Sequence, residues 1–477
     1  MIQDQIKGNF SNGEWLSKGS GASIEILDKY NGNTLAALPL ASKSQMDSAI
    51  DSAAKAFEVS RNWSAGKRAE KMELLYAAIK NNSTAFVNLI VAEAGKPITY
   101  AEAELKRSLS TLKIAIEEAK RLGGEVVPMD FNNGEGRTAF TKRFPIGVVV
   151  AITPFNFPLN LLIHKVAAAL AVGCTVVVKP PPQAPLTALF LAKLISEAGF
   201  PNGSVNVLAC DVPIAEYLVK DERLALLSFT GSDKVGWHLK SICGKKKVVL
   251  ELGGNAAVLI DKDVDVMAVA DKVAKGAYLY AGQICISTQR IFVHQLLYED
   301  FKNALIKAIE KLKTGNPSEN DSWAGPLIDK KAFERTKAWV NEAKAAGAEL
   351  LIGGSVIDEE KNLFEPTLFT NTNAEMKIYA EEAFAPIAIL EKVKDFTAGI
   401  QAVNNARYGL QAGVFTNSLK HFKMASEQIV SGGIIFNDIP GFRIDHMPYG
   451  GLKDSGLGKE GLKYSMEEMT EMRLIVY

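Results

Sequence analysis

This 477-residue sequence has few cysteines, and none is spaced as a metal or redox motif. Cys174, Cys210, Cys243 and Cys285 lie far apart with no CxxC, and the five histidines form no His-x-His group. That excludes a disulfide framework and a zinc site, so no metal is expected, and a reducing compartment fits. Net charge is missing too: Lys+Arg and Asp+Glu both number 54, so no overall field draws in nucleic acid or an anionic membrane. Any charged ligand must be recognised by a few placed residues. The opening MIQDQIKGNFSNGEW lacks the basic start and apolar run of a secretory leader. The most apolar region, 146–179, is broken by Pro154, Asn156, Pro158, Asn160, His164 and Lys165. A bilayer span needs roughly 20 predominantly apolar residues, so this region reads as core. The expectation is a cytoplasmic protein without membrane or nucleic-acid partners.

The length predicts two or three domains. From Ser42 to Leu122 apolar residues recur at three and four, the helical period, with Ser44 placed to cap the first helix and Gly123 and Gly124 ending the last. Residues 125–144 alternate around NNGEG, a hairpin signal. From 146 onward short apolar runs alternate with helix-length segments: IGVVVAI, CTVVVK, SVNVL, LALLSF and KVVLEL, then AAVLI after GGN. Such alternation predicts a parallel sheet covered on both faces, with ligands beyond the carboxyl ends of its strands.

Four strand ends carry reactive residue types. ITPFNFPLN holds Asn156 on a loop stiffened by two prolines, where an amide either closes its own turn or donates to a developing oxyanion. Lys179 ends CTVVVK, where it suits ribose or phosphate, or solvent. SFTGSDKVG places Phe229, Gly231 and Ser232 at a strand-to-helix turn, with Gly236 one turn on. Backbone N–H groups there suit a pyrophosphate, although this turn is not a GxGxxG fingerprint. Glu251 ends VVLELGGN, as a base or as a cap of the next turn. A fifth feature, AGQICIS, sets Cys285 in a loop-like break between apolar segments.

Taken together, the order PFNFP, FTGS with Gly236, ELGG, GQIC, EEAFAP (381–386), Asn437 and PYGGLKDSGLG (448–458) resembles the aldehyde dehydrogenase superfamily over essentially the whole chain. The resemblance implies an α/β fold with a Rossmann-type cofactor domain (1–124 and 146–253), a catalytic domain (254–455), and a β oligomerisation arm (125–145 and 456–477) that joins dimers or tetramers. It implies NAD or NADP as cofactor and NAD(P)-dependent oxidation of an aldehyde. Cys285 would be the nucleophile, Glu251 the base that activates water, and Asn156 the side-chain oxyanion donor beside the Cys285 N–H. Lys179, Pro182, Phe229, Gly231, Ser232, Glu382 and Phe384 fall at cofactor positions.

Pro182 departs from the glutamate that many NAD-preferring members carry three residues after the lysine, which leads us to expect tolerance of NADP. Arg107 and Arg443 are candidates for holding a polar or anionic tail, as in members similar to lactaldehyde and non-phosphorylating glyceraldehyde-3-phosphate dehydrogenases. Ile284 replaces the arginine that phosphate-specific members often place before the nucleophile. The expected substrate is therefore a small polar aldehyde such as lactaldehyde, with glyceraldehyde 3-phosphate second. A CoA-acylating enzyme is the further alternative, though such enzymes commonly lack the glutamate found at 251.

Overall fold

The computed structural model describes residues 5–477. Five parallel strands form the centre of an eight-stranded sheet: Val205–Val207, Thr175–Lys179, Val148–Ile152, Leu224–Thr230 and Lys247–Glu251, in that spatial order. The chain starts in the middle, winds outward through the second and third strands, then returns to the other side. The strand order thus reverses between Val148–Ile152 and Leu224–Thr230, where open α/β sheets form ligand crevices.

Alternate residues explain why both faces are covered. Val149, Ala151, Val176 and Val178 enter one core with helices Asn160–Val172 and Leu186–Glu197. Val148, Val150, Ile152 and Val177 enter another with helices Lys43–Ser60 and Val212–Lys220. A strand buried on both faces needs the near-continuous apolar run seen in its sequence.

A second, seven-stranded sheet repeats this plan. Its parallel strands Thr367–Thr370, Ile387–Val393, Thr288–His294, Ala256–Ile260, Gln411–Phe415 and Gly433–Phe436 are flanked by one antiparallel edge strand, Glu349–Ile352. A third sheet of three strands joins Val126–Val127 and Thr470–Val476 to the two edges of Ala139–Pro145. The 125–144 hairpin is present, but most of its pairing is with the distant segment 470–476.

Two sequence expectations shift in detail. The first helix is capped by Ser42, not Ser44: the Ser42 hydroxyl accepts from Gln45 N–H and the Gln45 side chain accepts from Ser42 N–H, closing a capping box. And 456–477 is not one arm. Gly456–Leu457 pairs with Leu250–Glu251 in the first sheet, and Leu462, Met466 and Met469 join its core. Only the strand from 470 reaches the third sheet. Among the described residues no helix is long and apolar enough to cross a membrane, and no cluster of His, Cys, Asp and Glu could hold a metal.

Candidate active site

Cys285 stands in the turn between helix Val266–Tyr278 and strand Thr288–His294. The approach to it is strained: Tyr280, Ala281 and Gly282 follow one another at φ 50°, 54° and 70°. Left-handed backbone at a non-glycine costs roughly 1–3 kcal/mol and persists only where the surroundings impose it. They do so here through Gln283, which is fully buried. Its side-chain oxygen accepts from Ile328 N–H at 3.0 Å, its amide donates to Pro326 O at 3.2 Å, and its carbonyl accepts from Asn156 Nδ2 at 3.0 Å. The backbone of Gly254 lies so close that a Cβ there would stand 2.1 Å from the Cys285 carbonyl oxygen. The Cys285 loop of the second sheet is thus fastened to the Asn156 loop of the first.

Asn156 is buried and uses one of its two amide hydrogens on Gln283 O, which leaves the second for another acceptor. Glu251 is 3% exposed, and neither carboxylate oxygen has a hydrogen-bond partner among the described residues. Burial, and after it the charge of Glu460, pushes the Glu251 carboxyl well above its ordinary range. Burial alone would raise Glu460 as well, but Lys165 Nζ at 2.8 Å from its Oε1 holds it down to about 2. A carboxyl shifted upward by burial, with no partner among the described residues, suits proton transfer.

Burial pushes the Cys285 thiol up to about 11. A hydrogen bond with the Tyr449 hydroxyl, 3.3 Å from Sγ, acts in the opposite direction, as does Arg443. The Arg443 guanidinium carbon sits 3.7 Å from the centre of the Tyr449 ring.

Cys285, Glu251 and Asn156 open onto one cavity of about 790 Å³, and so do Lys179, Pro182, Phe229, Gly231, Ser232, Glu382 and Phe384. Arg107 and Arg443 are not in its wall. The GxGxxG spacing does occur once, at Gly456, Gly458 and Gly461, but these glycines lie outside the cavity as well.

The cavity fits a dinucleotide on the chain's own polar groups. Ser232 caps helix Asp233–Ile242 without a side-chain bond, so the first-turn N–H groups stay available to a phosphate. Lys179 is largely buried, has no carboxylate within ion-pair distance among the described residues, and has its pKa lowered by that burial. Glu382 accepts from Gly254 N–H at 2.9 Å, and burial raises its carboxyl to about 7. Phe384, at φ 45°, meets Phe155 edge-on with ring centres 5.8 Å apart.

The residues that sequence reasoning left without a task are Tyr449 and Arg407. Arg407 bonds Asp233 at the start of that helix, Asp454 at 3.2 Å and Glu381 at 2.6 Å, tying together segments next to Ser232 and Glu382 of the cleft. Tyr449 lies within the quoted PYGG motif, but no spacing rule links it to a cysteine 164 positions away. Arg107, for its part, binds Asp445 with Nε at 2.9 Å and Nη2 at 2.6 Å, both to Oδ1.

Comparison with known proteins agrees with this geometry. The aldehyde dehydrogenase family model matches residues 15–475. The chain is 41% identical to the 3-sulfolactaldehyde dehydrogenase of Priestia megaterium over 478 residues, covering 100% of this chain and 99% of that protein. It is 36% identical to the lactaldehyde dehydrogenase of Methanococcus maripaludis, covering 98% of this chain and 99% of that one. The glyceraldehyde-3-phosphate dehydrogenase GapN of Methanocaldococcus jannaschii, solved with NADP, superposes with a TM-score of 0.91 at 35% identity, covering 96% and 99% of the two chains. The chain belongs to the aldehyde dehydrogenase family, as an NAD(P)-dependent oxidoreductase.

Proposed function

We propose that this protein oxidises a short 2-hydroxyaldehyde bearing a compact anionic tail to its carboxylic acid, with Cys285 as nucleophile. The observation that carries the choice of tail is Arg443. It is buried, its Nε and Nη2 have no hydrogen-bond partner, and it lies against the ring whose hydroxyl touches the Cys285 sulfur. Glu460 Oε2, 3.7 Å from Nη2, balances part of its charge without a hydrogen bond, so N–H groups remain for an anionic tail that reaches past the cavity wall to Arg443. The names of two relatives, a sulfolactaldehyde and a glyceraldehyde-3-phosphate dehydrogenase, support the same class. Uncharged lactaldehyde is the second reading. It is favoured by Ile284 in place of an arginine and by Asp445, which already neutralises Arg107.

The chemistry follows from the placed groups. The Cys285 thiolate attacks the aldehyde carbon, and the carbonyl π pair moves to oxygen. The second Asn156 N–H and the Cys285 N–H are the donors for that oxyanion. Lys179, Ser232 and Glu382 would hold the dinucleotide, and hydride acceptance is the chemistry that a bound nicotinamide supplies. Once the adduct has become a thioester, Glu251 takes a proton from water as the water attacks the acyl carbon, and the acid leaves. The presence of Glu251 favours hydrolysis over transfer to CoA. In this reading the first sheet serves the cofactor, the second presents the nucleophile, and the third joins subunits.

The test is a panel of 3-sulfolactaldehyde, glyceraldehyde 3-phosphate, succinate semialdehyde, lactaldehyde and aliphatic aldehydes, each with NAD and with NADP. The expected result is the highest kcat/KM for an anionic 2-hydroxyaldehyde. Turnover restricted to aliphatic aldehydes would overturn the reading.

A further inference from the structure

Among the described residues the Tyr449 hydroxyl is the sole hydrogen-bond partner of the Cys285 sulfur, and the sulfur is the sole partner of that hydroxyl. The tyrosine cannot easily turn away. It is 4% exposed, and its backbone exchanges two hydrogen bonds with Glu460, at 2.9 and 2.6 Å. Arg443 covers one face of the ring.

A buried hydroxyl donates to whatever acceptor it has. A thiol is a poor acceptor and a thiolate a strong one, so this contact favours the ionised sulfur over the neutral one. A cation against the ring face is attracted by the ring's electron density, draws that density away from the phenol oxygen and makes its O–H a better donor. Against this stand burial and the carboxylates of Glu382 and Glu251, which favour the neutral thiol. A phenylalanine would fill the same space and offer the sulfur nothing.

We infer that Tyr449 is a catalytic residue that eases ionisation of Cys285 ahead of attack, its hydroxyl donating to Sγ with Arg443 stacked behind the ring. This rests on the reading of Cys285 as nucleophile. Tyr449 itself makes no bond to substrate and loses no proton. The thiol proton leaves to solvent through the cleft before attack, the sulfur lone pair then forms the S–C bond, and the phenol proton stays on its oxygen. Once the sulfur carries an acyl group it is a poor acceptor, so the hydroxyl stabilises the state before attack and not the thioester.

The experiment is the pH dependence of Cys285 alkylation by iodoacetamide, followed by peptide mass so that Cys174, Cys210 and Cys243 do not contribute. Full-length wild type is compared with Tyr449→Phe, and dinucleotide affinity serves as the check that the variant is folded. A hydrogen bond to a charged group corresponds to about one pKa unit or more, so the midpoint should rise by about that much and the rate at pH 8 should fall about tenfold. The rising limb of kcat/KM should move with it. Should Tyr449→Phe fail to fold, Arg443→Gln supplies the measurement, with a smaller shift in the same direction. An unchanged midpoint in the folded variant overturns the inference. Failure of the nucleophile reading looks different: wild type fully alkylated at Cys285 would still oxidise aldehyde.

Discussion

Arg107 and Asp445, 338 positions apart, meet in a two-pronged ion pair, and His164 Nε2 adds a hydrogen bond at 2.8 Å from Asp445 Oδ1. The pair joins the long helix Ile98–Ala119 to the segment carrying Arg443. Arg107 is thus held by hydrogen bonds to its carboxylate, whereas Arg443 stands 3.7 Å from Glu460 Oε2 with its Nε and Nη2 unbonded among the described residues. Arg443→Met should raise KM for sulfonate- or phosphate-bearing aldehydes about 10- to 100-fold, the scale of a lost charge-assisted hydrogen bond, and change lactaldehyde less than about threefold. Arg107→Met should affect charged and uncharged substrates alike, because its loss loosens the segment and not a tail contact. Steady-state kinetics on the two variants separates these roles, and equal effects on both substrates from Arg443→Met would remove its assignment.

The same pair predicts an acid dependence. Burial alone would raise the Asp445 carboxyl, but His164 and Arg107 outweigh it and hold the group well below the usual carboxylate range. A depressed folded-state pKa stabilises fully above the unfolded value of about 3.9 and is lost as pH falls through the folded value. Asp445→Asn should therefore lower Tm at pH 7, and the gap to wild type should narrow between pH 5 and pH 3. Scanning calorimetry across that range measures it.

Glu251→Gln should leave hydride transfer in place and slow release of the acid. The expected record is a burst of reduced dinucleotide of about one per Cys285, followed by a steady rate at least a hundredfold below wild type. Wild-type kcat should rise with pH to a midpoint well above that of an ordinary glutamate, since the base must be ionised and burial has raised it. Normal steady turnover by the variant would remove Glu251 from the mechanism.

How much of this was legible depended on distance along the chain. Strands 148–152 and 175–179 were plain because both faces are buried, and apolar runs with glycine or proline beside them leave little choice. The first helix start moved by two residues because Ser42 and Ser44 are both capping types, and only Gln45 reaching back to Ser42 selects one. The residues that line the cleft were legible because each lies in or beside a short motif, and the fold brings those motifs onto one cavity. What stayed hidden were contacts between remote segments. Glu104 accepts from Leu159 and Asn160 N–H to cap helix Asn160–Val172, and Tyr449 reaches Cys285. No local pattern encodes a partner 55 or 164 positions away.

Pro182 lines the cleft three positions after Lys179, with neither an acceptor for ribose hydroxyls nor a charge to repel a 2′-phosphate. NADP should therefore serve at least as well as NAD in wild type. Pro182→Glu should lower the NADP-to-NAD ratio of kcat/KM at least tenfold, because a carboxylate gains hydroxyl contacts with one cofactor and meets a phosphate in the other. Strict use of NAD by the wild type would contradict this.

Strand Thr470–Val476 pairs along seven residues with Ala139–Pro145 and, among the described residues, has no neighbour on its other edge. Met472, Leu474 and Val476 are 57%, 60% and 41% exposed on it. An open edge of this length with exposed apolar side chains invites pairing with another chain, and a charge added to the two at Glu471 and Arg473 opposes that. We expect a homodimer or homotetramer joined through this sheet. Leu474→Lys should shift the protein toward monomer in light scattering after size exclusion. It should also lower Tm, since the strand loses a partner while its own sheet persists. If the variant keeps the wild-type mass, the subunits meet elsewhere.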